Sequence, residues 1–112
     1  MKTQIYHGGW ENSGRTGMMD DFNIDEWSVK DCTILYAYYN NEDYEGYATV
    51  IFERFGQLYE VNGNHCSCFG LEDQWKPEET SLASLQSEQN WHLHDAPDIK
   101  LFVSNLLEER KA

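Results

Sequence analysis

The sequence predicts an α+β domain: a three-stranded antiparallel meander followed by two C-terminal helices packed on one face. Three observations carry that reading. Residues 33–61 are crowded with β-branched and aromatic side chains, broken by short turn clusters. Apolar residues recur at helical spacing near the C-terminus. The strands precede the helices instead of alternating with them, which favours segregated layers over a parallel α/β sheet.

Residues 1–20 carry Gly8, Gly9, Gly14 and Gly17 among small polar residues. Glycine raises the entropic cost of ordering a chain. The expectation is therefore a flexible N-terminal segment over 1–20 and a single α+β domain over 21–112. Tyr6 and Trp10 stand against complete disorder, because such rings find surfaces to pack on. Residues 20–30 mix Phe22, Ile24, Trp27 and Val29 with acids and suit a short helical turn or a docked loop.

The first strand covers 33–39, and Asn40, Asn41, Glu42 and Asp43 form a turn cluster. The second covers 44–53. Tyr44, Gly46, Ala48, Val50 and Phe52 share one face, and Glu45, Tyr47, Thr49, Ile51 and Glu53 share the other. Gly56 marks a turn into a third strand over 57–61. Pro77, Glu78 and Glu79 read as the first turn of a helix running to about residue 88. Residues 90–95 alternate and suit a short extended segment. The last helix spans about 97–110, with Ile99, Phe102, Val103 and Leu106 as its apolar stripe.

The chain has 112 residues, which is the size of one domain, and no apolar run of membrane-spanning length. Its start has no apolar leader core, and its three cysteines are an odd number. Both point to a reducing cytoplasm. Twenty acids against eight bases give a formal charge of −12. Such a field repels phosphate backbones and attracts basic surfaces. Direct nucleic-acid binding is disfavoured, and a partner with a basic surface is expected. Candidate contacts are Asp20, Asp21, Asp25, Glu26, Glu42, Asp43 and Glu45, because two of the acidic clusters fall in predicted loops. Four Trp, seven Tyr and five Phe add the ring content of a binding patch or of an aromatic core.

His65, Cys66 and Cys68 form a compact potential ligand cluster, with His92 and His94 as further candidates and Cys32 as a more distant one. Zinc takes four such side chains, although the single-residue gap in Cys66-Ser67-Cys68 is tighter than the usual spacing of structural sites. A cysteine nucleophile activated by one of these histidines is the enzymatic alternative. Glu72 and Asp73 would raise its pKa, and no nucleophile-elbow signature accompanies it. The sequence therefore favours a protein without catalytic residues or a required cofactor. The alternatives are a small zinc-binding domain on the His65-to-Cys68 loop and a cysteine-dependent enzyme.

The run from Tyr59 to Thr80, and above all its His65-Cys66-Ser67-Cys68 to Pro77-Glu78-Glu79-Thr80 block, resembles a motif of small bacteriophage and prophage proteins. The resemblance covers roughly residues 33–85. It implies a bacterial host cytoplasm and, by analogy, an inhibitor or modulator of a host nucleic-acid-handling or defence protein such as a restriction or CRISPR complex. It implies no catalytic residue.

Overall fold

A computed structural model describes residues 5–42, 45–65, 70–86 and 99–111. These form one five-stranded sheet, β1 (Ile5–Gly8), β2 (Cys32–Glu42), β3 (Glu45–Arg54), β4 (Gln57–His65) and β5 (Glu78–Thr80), in spatial order β1-β2-β3-β4-β5. Three helices accompany it: α1 (Gly14–Phe22), α2 (Leu82–Gln86) and α3 (Ile99–Lys111). The α+β class is as expected. The count is corrected from three strands and two helices to five and three among the described residues.

Strands β2, β3 and β4 pair antiparallel in sequence order. Strand β2 carries a bulge. Ile34 lies opposite Phe52 and Tyr36 opposite Ile51, so Leu35 has no partner of its own. The bulge resets the alternation. Ile34, Ala37 and Tyr39 belong to one face, while Leu35 and Tyr36 belong to the other. All five are buried, because the sheet is covered on both sides.

One cover is α1 and the turn before it. Trp10, Met18 and Phe22 pack on Ile34, Ala37, Ala48, Val50, Phe52 and Val61. The other is the C-terminal helix pair, where Leu85, Phe102, Val103 and Leu106 pack on Leu35, Tyr36, Ile51 and Leu58. The apolar stripe of the last helix thus lands as expected at Phe102, Val103 and Leu106. The expected single-face arrangement is corrected: α2 and α3 pack on one face, and α1 covers the other.

Residues 5–20, expected to be flexible, carry a strand and most of a helix. Strand β1 pairs parallel to β2, with Ile5 opposite Tyr36 and Gly8 opposite Tyr39. The glycines serve close approach here. Gly8 has φ +64, and a Cβ on it would collide with the Tyr39 carbonyl, which accepts the Gly9 N–H at 2.9 Å. Trp10 follows at 0 % exposure, its ring 5.1 Å from Tyr39 and 5.8 Å from Phe22. Asn23 ends α1 in the left-handed conformation, with φ 56.

The expected helix start at Pro77 is also corrected. Glu78–Thr80 is β5, antiparallel to β4, with Leu58 opposite Thr80 and Glu60 opposite Glu78. Capping the open edge of β4 satisfies backbone groups that a helix there would leave exposed. Gln57 Nε2 reinforces the join by donating to the Thr80 carbonyl at 3.0 Å. The helix begins only after Ser81, whose hydroxyl accepts the Ser84 N–H at 3.1 Å. The extended segment expected at 90–95 lies outside the described residues. No described helix is long and apolar enough to cross a membrane.

Candidate functional site

The sequence-predicted acids divide into two groups. Glu42 and Glu45 are register partners on the last rung of the β2–β3 hairpin. Asp43 lies outside the described residues. At the same end of the sheet, Tyr39 is buried beside α1 and the segment after β4. Burial pushes its phenol above the ordinary tyrosine range, and the negative charges of Asp21 and Glu72 push it further the same way. Asp21 and Glu72 therefore bring two more carboxylates to this end from separate segments. Asp20 is exposed beside Asp21 on α1. Asp21 also has a structural task, since Trp10 Nε1 donates to its Oδ2 at 2.7 Å.

Asp25 and Glu26 belong elsewhere. Asp25 closes the turn before β2, accepting the Ser28 N–H at 3.2 Å. Glu26 accepts a hydrogen bond from Arg15 Nη2 at 2.9 Å. Both acids lie at the opposite end of the sheet, near Cys32 and Arg54, and are engaged within the chain.

The cysteine loop leaves from the acidic end. His65 is the last residue of β4, opposite Gly46, and only its backbone position is described. Cys66, Cys68, His92 and His94 lie outside the described residues. Among the described residues no group of three or more metal-ligating side chains converges. The base of the loop is closed by Gln74, a residue that sequence reasoning passed over. Its Oε1 accepts the Asn64 N–H at 2.8 Å, and its Nε2 donates to the Asn64 and Gly70 carbonyls, each at 2.6 Å. A Cβ at Gly63 would come within 3.1 Å of Gln74 Oε1 and 3.2 Å of Leu71, so glycine leaves room for this clamp. Trp75 then stacks on Phe52 at 5.7 Å and meets Phe22 edge-on at 5.1 Å. Within the run from Tyr59 to Thr80, Gly63 and Gln74 thus serve closure of the loop base and Trp75 serves core packing. Cys32 is a free thiol whose pKa burial pushes up, which works against an activated thiolate there.

A polar row crosses the sheet on the face shared with α2 and α3. His7, Tyr38, Thr49 and Asn62 are successive register partners from β1 to β4. The fully buried Thr49 hydroxyl donates to Asn62 Oδ1, and Asn62 Nδ2 donates to Glu60 Oε1 at 2.9 Å. His7 Nε2, the Tyr47 hydroxyl and Glu60 Oε2 are buried with no hydrogen-bond partner among the described residues. Such groups are costly to leave unpaired, and this face therefore combines polarity with burial.

The opposite end of the sheet is aromatic and cationic. Arg54 pairs with Gln57 across a two-residue turn, Phe55-Gly56, in which both residues have positive φ, 52 and 81. Tight hairpins favour Asn or Gly at the first of these positions. A groove of about 540 Å³ beside this turn is lined by Trp27, Lys30, Arg54, Phe55 and Tyr59, with Asp31 and Glu79 at its walls. Lys30 Nζ lies 4.7 Å from the centre of the Trp27 ring, and the Arg54 guanidinium lies 5.1 Å from that of Tyr59. An adjoining groove shares Trp27, Lys30 and Asp31 and adds Arg15 and Glu26. The signal for this site in the sequence was a phenylalanine directly before the turn glycine, where asparagine is expected.

Compared with protein families, with curated proteins and with solved structures, the chain gives no significant match to any of them.

Proposed function

We propose that this chain is a non-enzymatic acidic binding protein of phage type. It docks on a basic surface of a host nucleic-acid-handling or defence protein, with its carboxylates occupying positions that phosphates would take. The observation that supports this reading most is the gathering of acids from three segments at the hairpin end: Glu42 and Glu45 in register, Asp21 on α1, and Glu72 after β4. A field of this sign, on a chain of −12, draws a basic partner by long-range attraction and repels nucleic acid itself.

The test compares capture of host proteins by the wild-type chain with capture by a variant carrying Glu42→Lys, Asp43→Lys and Glu45→Lys. The captured protein is then assayed for DNA or RNA binding with and without the chain. The reading expects the triple variant to lose capture while melting like the wild type. It also expects the chain to compete with nucleic acid, and less so as salt rises. Asp21 is left intact because its bond to Trp10 would confound binding with folding. The zinc reading, with His65, Cys66, Cys68, His92 and His94, replaces this one if purified protein carries stoichiometric zinc, melts lower with a chelator, and captures no basic partner.

A further inference from the structure

The aromatic-cationic end has three properties that the proposed docking of a basic partner does not use. Its apolar rings are exposed: Trp27 is 76 % and Phe55 84 % accessible, and both line one groove. Large aromatic side chains of this kind dominate the energetics of protein contacts. Phe55 is also held in left-handed backbone with φ 52, where a bulky side chain is strained. Water exposure and backbone strain both disfavour phenylalanine at this tip, and Asn would relieve both. Finally, the groove is charge-balanced. Lys30 and Arg54 line it together with Asp31 and Glu79, on a chain whose formal charge is −12.

The geometry points to a second copy of this chain as the occupant, in an isologous dimer formed through the Trp27–Phe55 groove. Two copies related by a two-fold axis present the same patch to each other. A patch with two cations and two carboxylates is complementary to itself, because each copy's cations can meet the other's carboxylates. Two copies of a chain of formal charge −12 otherwise repel each other. A basic partner is drawn to the hairpin end and gains little against Lys30 and Arg54. A nucleic acid meets Asp31, Glu79 and the net charge of the whole chain. Among the described residues, the patch is thus a place where self-repulsion is lifted and exposed aromatic surface is available to bury.

Sedimentation equilibrium of the full chain across the micromolar range, at low and at moderate salt, tests this. The expected result is a monomer–dimer equilibrium that tightens as salt rises, because screening weakens the repulsion between the two acidic bodies while leaving ring burial intact. Phe55→Asn should shift the protein to monomer by at least about tenfold in dissociation constant, the scale of a modest interface hot spot, while raising its melting temperature. Trp27→Ala should weaken the dimer similarly, and Lys30→Glu should weaken it by leaving the groove net negative. A chain that stays monomeric at every concentration and both salts overturns the inference. So does self-association that all three variants leave unchanged. The opposite salt dependence separates this surface from the acidic one. Failure here leaves basic-partner capture untouched, and loss of that capture leaves the dimer untouched.

Discussion

The two ends of strand β3 carry opposite chemistry. Where it begins, Glu45 is the register partner of Glu42, and Asp21 and Glu72 bring further negative charge around Tyr39. Where it ends, Arg54 leads into a strained Phe55-Gly56 turn beside Trp27 and Lys30. Of the four Lys and Arg side chains that are described, Arg15, Lys30 and Arg54 line the two adjoining grooves at this second end. Two of the acids at this end are in use: Glu26 pairs with Arg15, and Asp25 caps a turn. A formal charge of −12 is therefore not an even coat. One sheet separates the end proposed to take a basic partner from the end proposed to meet a second copy.

The largest effect is expected at the acidic end. Trp10 is 0 % exposed and holds Asp21 in place through its indole N–H. Trp10→Ala should cost about 3–5 kcal/mol in urea denaturation, the usual cost of emptying a large buried aromatic site. An effect near zero would mean that the N-terminal segment is not part of the core. The next effect concerns the loop base. Gln74→Ala removes one accepted and two donated hydrogen bonds. It should cost about 1–3 kcal/mol and speed amide exchange at Asn64. Glutamate at this position should not rescue, because a carboxylate cannot donate to the two carbonyls.

The aromatic end should respond with the other sign. Phe55→Asn relieves a bulky residue at positive φ and should stabilise the monomer by about 1 kcal/mol. A substitution that strengthens the fold while weakening association is the signature of a residue placed for contact. A smaller effect is set by pH. Burial is the first cause raising the pKa of both Tyr6 and Tyr39 above the ordinary value near 10, with Asp21 and Glu72 adding to the rise at Tyr39. A phenol that holds its proton more tightly when folded stabilises the protein fully below the unfolded pKa. That stabilisation is lost as pH climbs from about 10 through the folded value. Melting temperature should therefore fall above about pH 10. Neutralising Asp21 and Glu72 as Asn and Gln should bring the Tyr39 titration back toward the ordinary value.

The central meander was legible in the sequence because β2 to β4 obey local rules. β-branched and aromatic residues alternate, and turn residues sit between them. What escaped was non-local. Strand β1 has only four residues and is specified by pairing with β2 across more than twenty intervening positions, with Gly8 chosen for clearance against Tyr39. Helix α1 buries only Met18 and Phe22, too few to write an amphipathic stripe. The local signal at Pro77, Glu78 and Glu79 was a fair helix start, overridden by the open edge of β4. The bulge at Leu35 shifted the facing of half of β2, and no residue type announces it. At the site level, charge and its sign were legible, but its division between the two ends was not. Asp25 and Glu26 look like Asp20 and Asp21 in sequence, and only the fold shows that Arg15 and Ser28 engage them.

The most direct test of the account is capture of a basic host partner by three forms of the chain at low salt: wild type, the Glu42→Lys, Asp43→Lys and Glu45→Lys variant, and Phe55→Asn. The account predicts that wild type and Phe55→Asn retain the partner, while the triple variant loses it with an unchanged melting curve. Capture that survives the triple charge reversal, or that fails with Phe55→Asn instead, would contradict the assignment of partner binding to the acidic end.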